Sequence, residues 1–166
     1  MMKGDLQNDC LGFFCSNSCP GDVILKAQDW ANSRDTTSKP LIGGFHTSVE
    51  KEVLRLLIRN HAPVIYVLGR AIEGWRKSRD IAAAIKAGSL VAISPFAPDQ
   101  KRTTTQSAMF RNDYIVSKAE AVLIAHASAS GKTEALAQSV LDQGKGLFTF
   151  TSPSNAHLIE MGAVCV

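Results

Sequence analysis
The chain has no long apolar run. Its longest, such as Ala121–Ala125, reach about a quarter of the roughly 20 residues a membrane span needs, which excludes a transmembrane helix. It has no large excess of one charge. Lys and Arg number 18 against 15 Asp and Glu, for a net charge of +3. That is not the footprint of a protein that coats DNA electrostatically. It permits an anionic ligand and does not require one. Met1 to Asp9 lack a basic start and an apolar stretch, so no secretory signal is expected and a cytoplasmic home is the default. Cysteine is scarce: Cys10, Cys15, Cys19 and Cys165. Their spacing matches no zinc pattern, and a chain that is 45% hydrophobic needs no disulfide staples. Buried or half-buried thiols are expected, with no metal and no cofactor. Paired carboxylates, a nucleophile elbow and a metal triad are also missing, so no catalytic residue is assigned. Repeats and low-complexity tracts are absent.

What is present is enough apolar material for a sizeable core, which excludes intrinsic disorder. At 166 residues the chain is expected to form one domain over 1–166. Short apolar runs recur along it: Leu11–Cys15, Leu41–Ile42, Val64–Leu68, Leu90–Ile93, Ala121–Ala125 and Leu147–Phe150. They are too short for helices, and continuous apolar character suits strands buried on both faces of a parallel sheet.

Amphipathic stretches lie between the runs. Leu54, Leu57 and Ile58 repeat at helical spacing, with Glu50, Lys51, Glu52, Arg55 and Arg59 on the other face. Asn60 and His61 close that helix before Pro63. Ile81, Ala84 and Ile85 give a second apolar face ended by Gly88, and Leu136, Val140 and Leu141 a third ended by Gly144. Val23–Trp30 and Asn155–Met161 read as further helices, the last capped by Ser154 or Asn155. Ser33–Lys39 and Pro98–Thr105 are loops, the second long enough for a lid or a partner contact. The alternation predicts an α/β fold: one doubly wound, mostly parallel Rossmann-like sheet with helices on both faces.

Ligands of such sheets bind beyond the carboxyl ends of the strands. Small, hydroxylated and glycine residues gather there: Ser16 and Asn17 after the first run, Gly43, Gly44 and His46 after the second, Gly69 and Arg70 after the third. After the fifth comes His126-Ala-Ser-Ala-Ser-Gly-Lys-Thr133. There a strand, a loop, Ser130-Gly-Lys-Thr133 and a helix form the context of a phosphate-binding loop. Amides of Gly131 and Lys132 would face an anion, and Lys132 would add a point charge. His126 stands where the motif wants its first glycine, and Glu134 in the first turn would repel a phosphate. That favours an anion-friendly helix start over an ATPase. A tight turn with a solvated lysine is the plainer account. Gly43-Gly44 serves equally as a tight turn or as room for a ligand. His46 suits a phosphate contact or a helix cap. Arg111 could reach an anion over the strand ends, or pair at the surface. His126 could face the same cleft edge. Trp75 with Arg76, Lys77 and Arg79 could stack nucleic-acid bases, although a packed Trp75 and a solvated basic face is the simpler account.

Four segments, in order, resemble one family. Leu41-Ile-Gly-Gly-Phe-His46, Phe110-Arg-Asn-Asp113, Ser130-Gly-Lys-Thr-Glu-Ala135 and Ser154-Asn-Ala-His-Leu-Ile-Glu-Met-Gly-Ala163 are similar to the strand turn, Arg-Asn-Arg helix, Ser-Gly turn and closing motif of the DNA-processing protein A (DprA/Smf) family. That family sits in a wider group with lysine-decarboxylase-like phosphoribohydrolases. The resemblance runs from about Leu11 to the carboxyl terminus. It implies a cleft that binds phosphates and single-stranded DNA, and delivery of a recombinase. It carries Gly43, Gly44, Arg111, Ser130, Gly131 and Lys132 into that cleft, with Thr133, Ser16, Asn17 and His46 beside them. Asp113 replaces the second arginine of the family's motif. A nucleoside 5'-monophosphate phosphoribohydrolase is the enzymatic alternative; its pattern needs an acid where Leu136 stands, and only Glu134 is near. A scaffold without a ligand is the third reading. The leading expectation is a nucleotide- or single-stranded-DNA-binding protein without strong catalysis, able to form a homo-oligomer, with no membrane partner.

Overall fold
All six apolar runs form strands, and a short seventh strand follows them. The computed structural model describes residues 9–166, so the amino-terminal segment read above lies, through residue 8, outside the described residues. The strands are β1 (Leu11–Phe14), β2 (Leu41–Gly43), β3 (Val64–Val67), β4 (Leu90–Ile93), β5 (Ala121–Ile124), β6 (Gly146–Thr149) and β7 (Val164–Cys165). They form one sheet in the order β4-β3-β2-β1-β5-β6-β7, and every pairing is parallel. β7 was not expected: two exposed residues carry no readable period.

The helices are α1 (Gly21–Asn32), α2 (Ser48–Arg59), α3 (Arg79–Ala87), α4 (Thr105–Lys118), α5 (Lys132–Asp142) and α6 (Ala156–Met161). Their starts follow the local chemistry. Thr47 caps α2 in a reciprocal box with Glu50, Ser78 caps α3, and Thr104 caps α4 with Ser107. Gly88 ends α3 in the left-handed region at φ 84°, as its position predicts. Asn155 stands before α6, but its side chain makes no cap; it turns inward.

Strand residues alternate between two apolar layers. Phe13, Leu41, Val64 and Leu123 face α1, α2 and α3, where Val23, Val53, Leu57 and Ala84 meet them. Phe14, Ile42, Ile65 and Ile124 face α4, α5 and α6, against Ile115, Val140 and Leu158. The sheet is therefore covered on both faces, which leaves its strand ends as the place for a ligand. No helix of the described residues is long and apolar enough to cross a membrane.

Candidate functional site
β1 to β4 are laid down outward on one side of the sheet. Residues 94–120 then carry the chain back over it, and β5 pairs with β1 from the other side. The crevice of an open α/β sheet lies at this reversal. A cleft of about 900 Å³ occupies it. Cys15–Ser18 follow β1 into it, His46 and Thr47 border it at the start of α2, Thr103–Thr105, Met109, Arg111 and Asn112 border it from α4, and Gly131–Thr133 from α5.

The structure thus brings Ser16, Asn17, His46, Arg111, Gly131, Lys132 and Thr133 to one cleft. Gly43, Gly44 and Ser130 are not among its lining residues. Gly43 belongs to β2 and lies against Phe45 and the Phe13 carbonyl. Ser130 is exposed, with φ 60°. Ser16 is largely spent on bracing: its hydroxyl donates to the His126 carbonyl (2.9 Å) and accepts from the Ser128 amide (3.2 Å). The Gly131 amide donates to the Ser128 carbonyl (3.0 Å).

The start of α2 is closed to outside anions by its own carboxylate. Glu50 was read onto the solvent face, but it is only 6% exposed. One carboxylate oxygen accepts the Cys15 amide (2.9 Å), and the other accepts the amides of His46 (2.9 Å) and Thr47 (3.2 Å). A carboxylate at a helix start answers both the free amides and the helix dipole. The same amides, left open, would have been the natural phosphate cradle of this turn.

The start of α5 differs. Gly131 precedes it without a side-chain cap, and the amides of Lys132 and Thr133 have no acceptor among the described residues. The Lys132 side chain is exposed beside them and forms no ion pair among the described residues. Glu134, in the first turn, is not among the cleft residues; its carboxylate stands 3.6 Å from His157 Nε2.

Arg111 lines the same cleft as this helix start. It is 6% exposed and makes no ion pair among the described residues. Nε and one terminal nitrogen donate to Asn112 Oδ1, each at 3.2 Å. Burial draws the guanidinium below its ordinary pKa, and the nearby Glu50 charge opposes that shift. A buried guanidinium without a carboxylate is costly unless something else answers its charge. Asp113, two residues on, is exposed at the cleft.

His126 does not face the cleft edge. Its Nδ1 lies 2.8 Å from Asn155 Oδ1. Asn155 Nδ2 donates to the carbonyls of Ala125 (2.9 Å) and Phe150 (3.0 Å), which fixes Oδ1 toward the ring and makes His126 Nδ1 the donor. This network ties the loop after β5 to the segment after β6. Trp75 packs against Tyr66, ring centres 5.5 Å apart.

No family model and no curated protein matches the sequence. Solved structures do match it in shape. DNA processing protein A (DprA) from Streptococcus pneumoniae superposes with a TM-score of 0.80 at 15% identity, covering 97% of this chain and 59% of that one. DprA from Helicobacter pylori, whose structure is described for its single-stranded DNA binding mode, gives 0.76 at 12% identity over 96% and 75%. The fold is DprA-like. A molybdenum cofactor binding protein from Rippkaea orientalis follows at a TM-score of 0.64 and 11% identity, over 93% and 82%. This chain therefore spans under two thirds of the Streptococcus protein.

Within this DprA-like fold, sequence reasoning missed Met109 at the cleft and did not single out Thr103 or Asn112, although it named the Pro98–Thr105 loop and the Phe110–Asp113 motif that hold them. Loop threonines and a helix methionine carry no signal of their own. The helical period around Arg111 was the one available clue, since Asn112 adjoins it and Ala108 lies one turn before. Neither comparison nor geometry supports the phosphoribohydrolase alternative: Glu134, the one acid near its pattern, turns to His157.

Proposed function
We propose that the cleft binds the phosphate backbone of single-stranded DNA, in a role linked to DNA processing. The observation that carries this reading is Arg111: a buried guanidinium without an ion pair among the described residues, lining the same cleft as the uncapped start of α5 and the exposed Lys132. A phosphate oxygen is the acceptor both sides need. The likeness to DprA structures, one of them described for single-stranded DNA binding, supports the same ligand. Recombinase delivery and self-association belong to this reading through the family resemblance alone; light scattering with and without oligonucleotide tests the second.

The deciding experiment is binding of fluorescent single-stranded DNA at two salt concentrations. Wild type is compared with Lys132→Ala and with Arg111→Ala/Lys132→Ala, each checked for its melting transition. Expected is binding that weakens steeply with salt, with a logarithmic slope near −0.7 for each phosphate contacted. Lys132→Ala should flatten that slope by about one contact's worth. If wild type binds a mononucleotide and ignores the oligonucleotide, the ligand is a nucleotide. If it binds neither, the phosphate reading fails.

A further inference from the structure
Arg111 has a second side. Next to the cleft, with which it shares His46 and Thr103, it borders a cavity of about 230 Å³ at the ends of β2 and β3, where Lys51, Tyr66, Arg70 and Trp75 stand around it. No aspartate or glutamate lines this cavity, while three side chains carry fixed positive charge. Arg70 is held in place by backbone alone. Its Nε donates to the Ala71 carbonyl and a terminal nitrogen to the Glu73 carbonyl, both at 3.0 Å, and it has no ion pair among the described residues.

The free donors point the same way. One terminal nitrogen of Arg111 has no acceptor among the described residues. It lies against Gly69, 3.2 Å from where a side-chain carbon on that residue would stand. The Tyr66 hydroxyl also bonds to no described residue. Burial raises its pKa, which keeps it a proton donor, against the pull of the Arg111 charge. Trp75 covers Tyr66 from outside. Like charges gathered here repel one another, and the unmade donors are open to a ligand from solvent, not sealed in the interior. An oxyanion with acceptors in several directions answers the charge and takes up the open donors. The volume is below the roughly 300 Å³ at which pockets for drug-sized ligands begin. A compact anion fits, and a nucleoside does not.

We propose that this cavity is a second phosphoryl-binding subsite, with Arg111 shared between it and the cleft. The sharing rests on the phosphate reading of the cleft; the subsite itself does not. Its phosphoryl group has two sources, the next phosphodiester of a bound strand or free inorganic phosphate.

The test uses the two indole N–H resonances of the full chain. Trp75 borders the subsite. Trp30 stacks on Phe13 in the same layer as Tyr66 but does not line the subsite, and serves as the control. Inorganic phosphate is titrated at constant ionic strength. Expected is a saturable shift of Trp75 with Trp30 unmoved, weakened at least about tenfold in Lys51→Ala/Arg70→Ala and unchanged in Lys132→Ala. An oligonucleotide that shifts Trp75 and competes with phosphate identifies the strand as the source. An oligonucleotide that binds without moving Trp75 identifies the free ion. If the oligonucleotide fails to bind while Trp75 answers phosphate, the cleft reading falls and the subsite stands. A Trp75 resonance that moves with neither probe, or moves equally in the double variant, overturns the subsite.

Discussion
Gly44 and Arg111 occupy one space: a side-chain carbon on Gly44 would lie 2.6 Å from Arg111 Nε and 2.8 Å from its guanidinium carbon. The glycine is empty so that the arginine can lie across the end of β2. Gly69, at the end of β3, makes room first for Thr103, whose Cγ2 would lie 2.8 Å from a side-chain carbon there, and then for the other edge of the guanidinium at 3.2 Å. Gly44→Ala is therefore expected to displace Arg111, costing about 1–3 kcal/mol of stability by overpacking and removing oligonucleotide binding. Adding Arg111→Ala should restore much of the melting temperature and none of the binding. Chemical denaturation and fluorescence polarisation on wild type and the two variants check both halves. Binding that survives in Gly44→Ala would detach Arg111 from the ligand.

Glu50 holds three amides at the junction of β1 and α2. Glu50→Ala leaves buried donors unmade and is expected to cost about 2–4 kcal/mol. Glu50→Gln keeps one oxygen as acceptor and turns an amide group toward the remaining donors, so its loss should be smaller. Urea midpoints at unchanged slope are the readout. Equal stability in all three proteins would mean that the carboxylate does not organise this junction.

Asn155 joins the ends of β5 and β6 through two carbonyls and His126. Asn155→Ala should lower stability by about 2–4 kcal/mol, since it leaves carbonyls and an imidazole unpaired in the interior. Asn155→Asp should be no better, because it sets carboxylate oxygens against carbonyl oxygens. Loss of slow hydrogen exchange at the β5–β6 pairing would locate the damage, and an unchanged exchange pattern would refute the bracing role.

Hydrogen bonding between the two thiols, ahead of burial, pushes Cys15 up, and the same contact draws Cys19 down from the ordinary thiol value. Cys19 is half-buried and Cys15 buried. At neutral pH a haloacetamide is expected to label Cys19 before Cys15, with exposed Cys165 as the internal reference. Cys15→Ala should raise the Cys19 pKa and slow its labelling several-fold relative to Cys165. Peptide mass spectrometry over time reads both rates. An unchanged rate would sever the two thiols chemically.

The layered fold was legible because Leu11–Cys15, Val64–Leu68 and Ala121–Ala125 are apolar on both faces, and only a sheet buried on both sides uses such runs. β7 was not, because Val164 and Cys165 are exposed and too few to show a period. The cleft was half legible. The strand-end rule found Ser16 and His46, which follow their strands closely, and the loop-then-helix pattern found Lys132. Glu50 misled because helical period shows which face a residue occupies, not whether its carboxylate turns back onto amides before the helix. Gly44 misled for a related reason. A glycine marks a place that must stay empty, and sequence does not say whether a ligand or a distant arginine fills it.

The return path of the chain over the sheet also orders events in time. Each pairing from β1 to β4 closes a local β–α–β loop, whereas β5 must find β1 across more than a hundred residues, from Leu11 to Ala121. Such long-range closure is slow because chain entropy is lost before contacts repay it. Arg111 rides on the segment that makes this closure, so an emerging chain holds no completed anion site until that segment has crossed and β5 has docked. On the phosphate reading of the cleft, competence to bind and completion of the sheet then arrive in one kinetic step, and a partly folded chain is silent toward the anion.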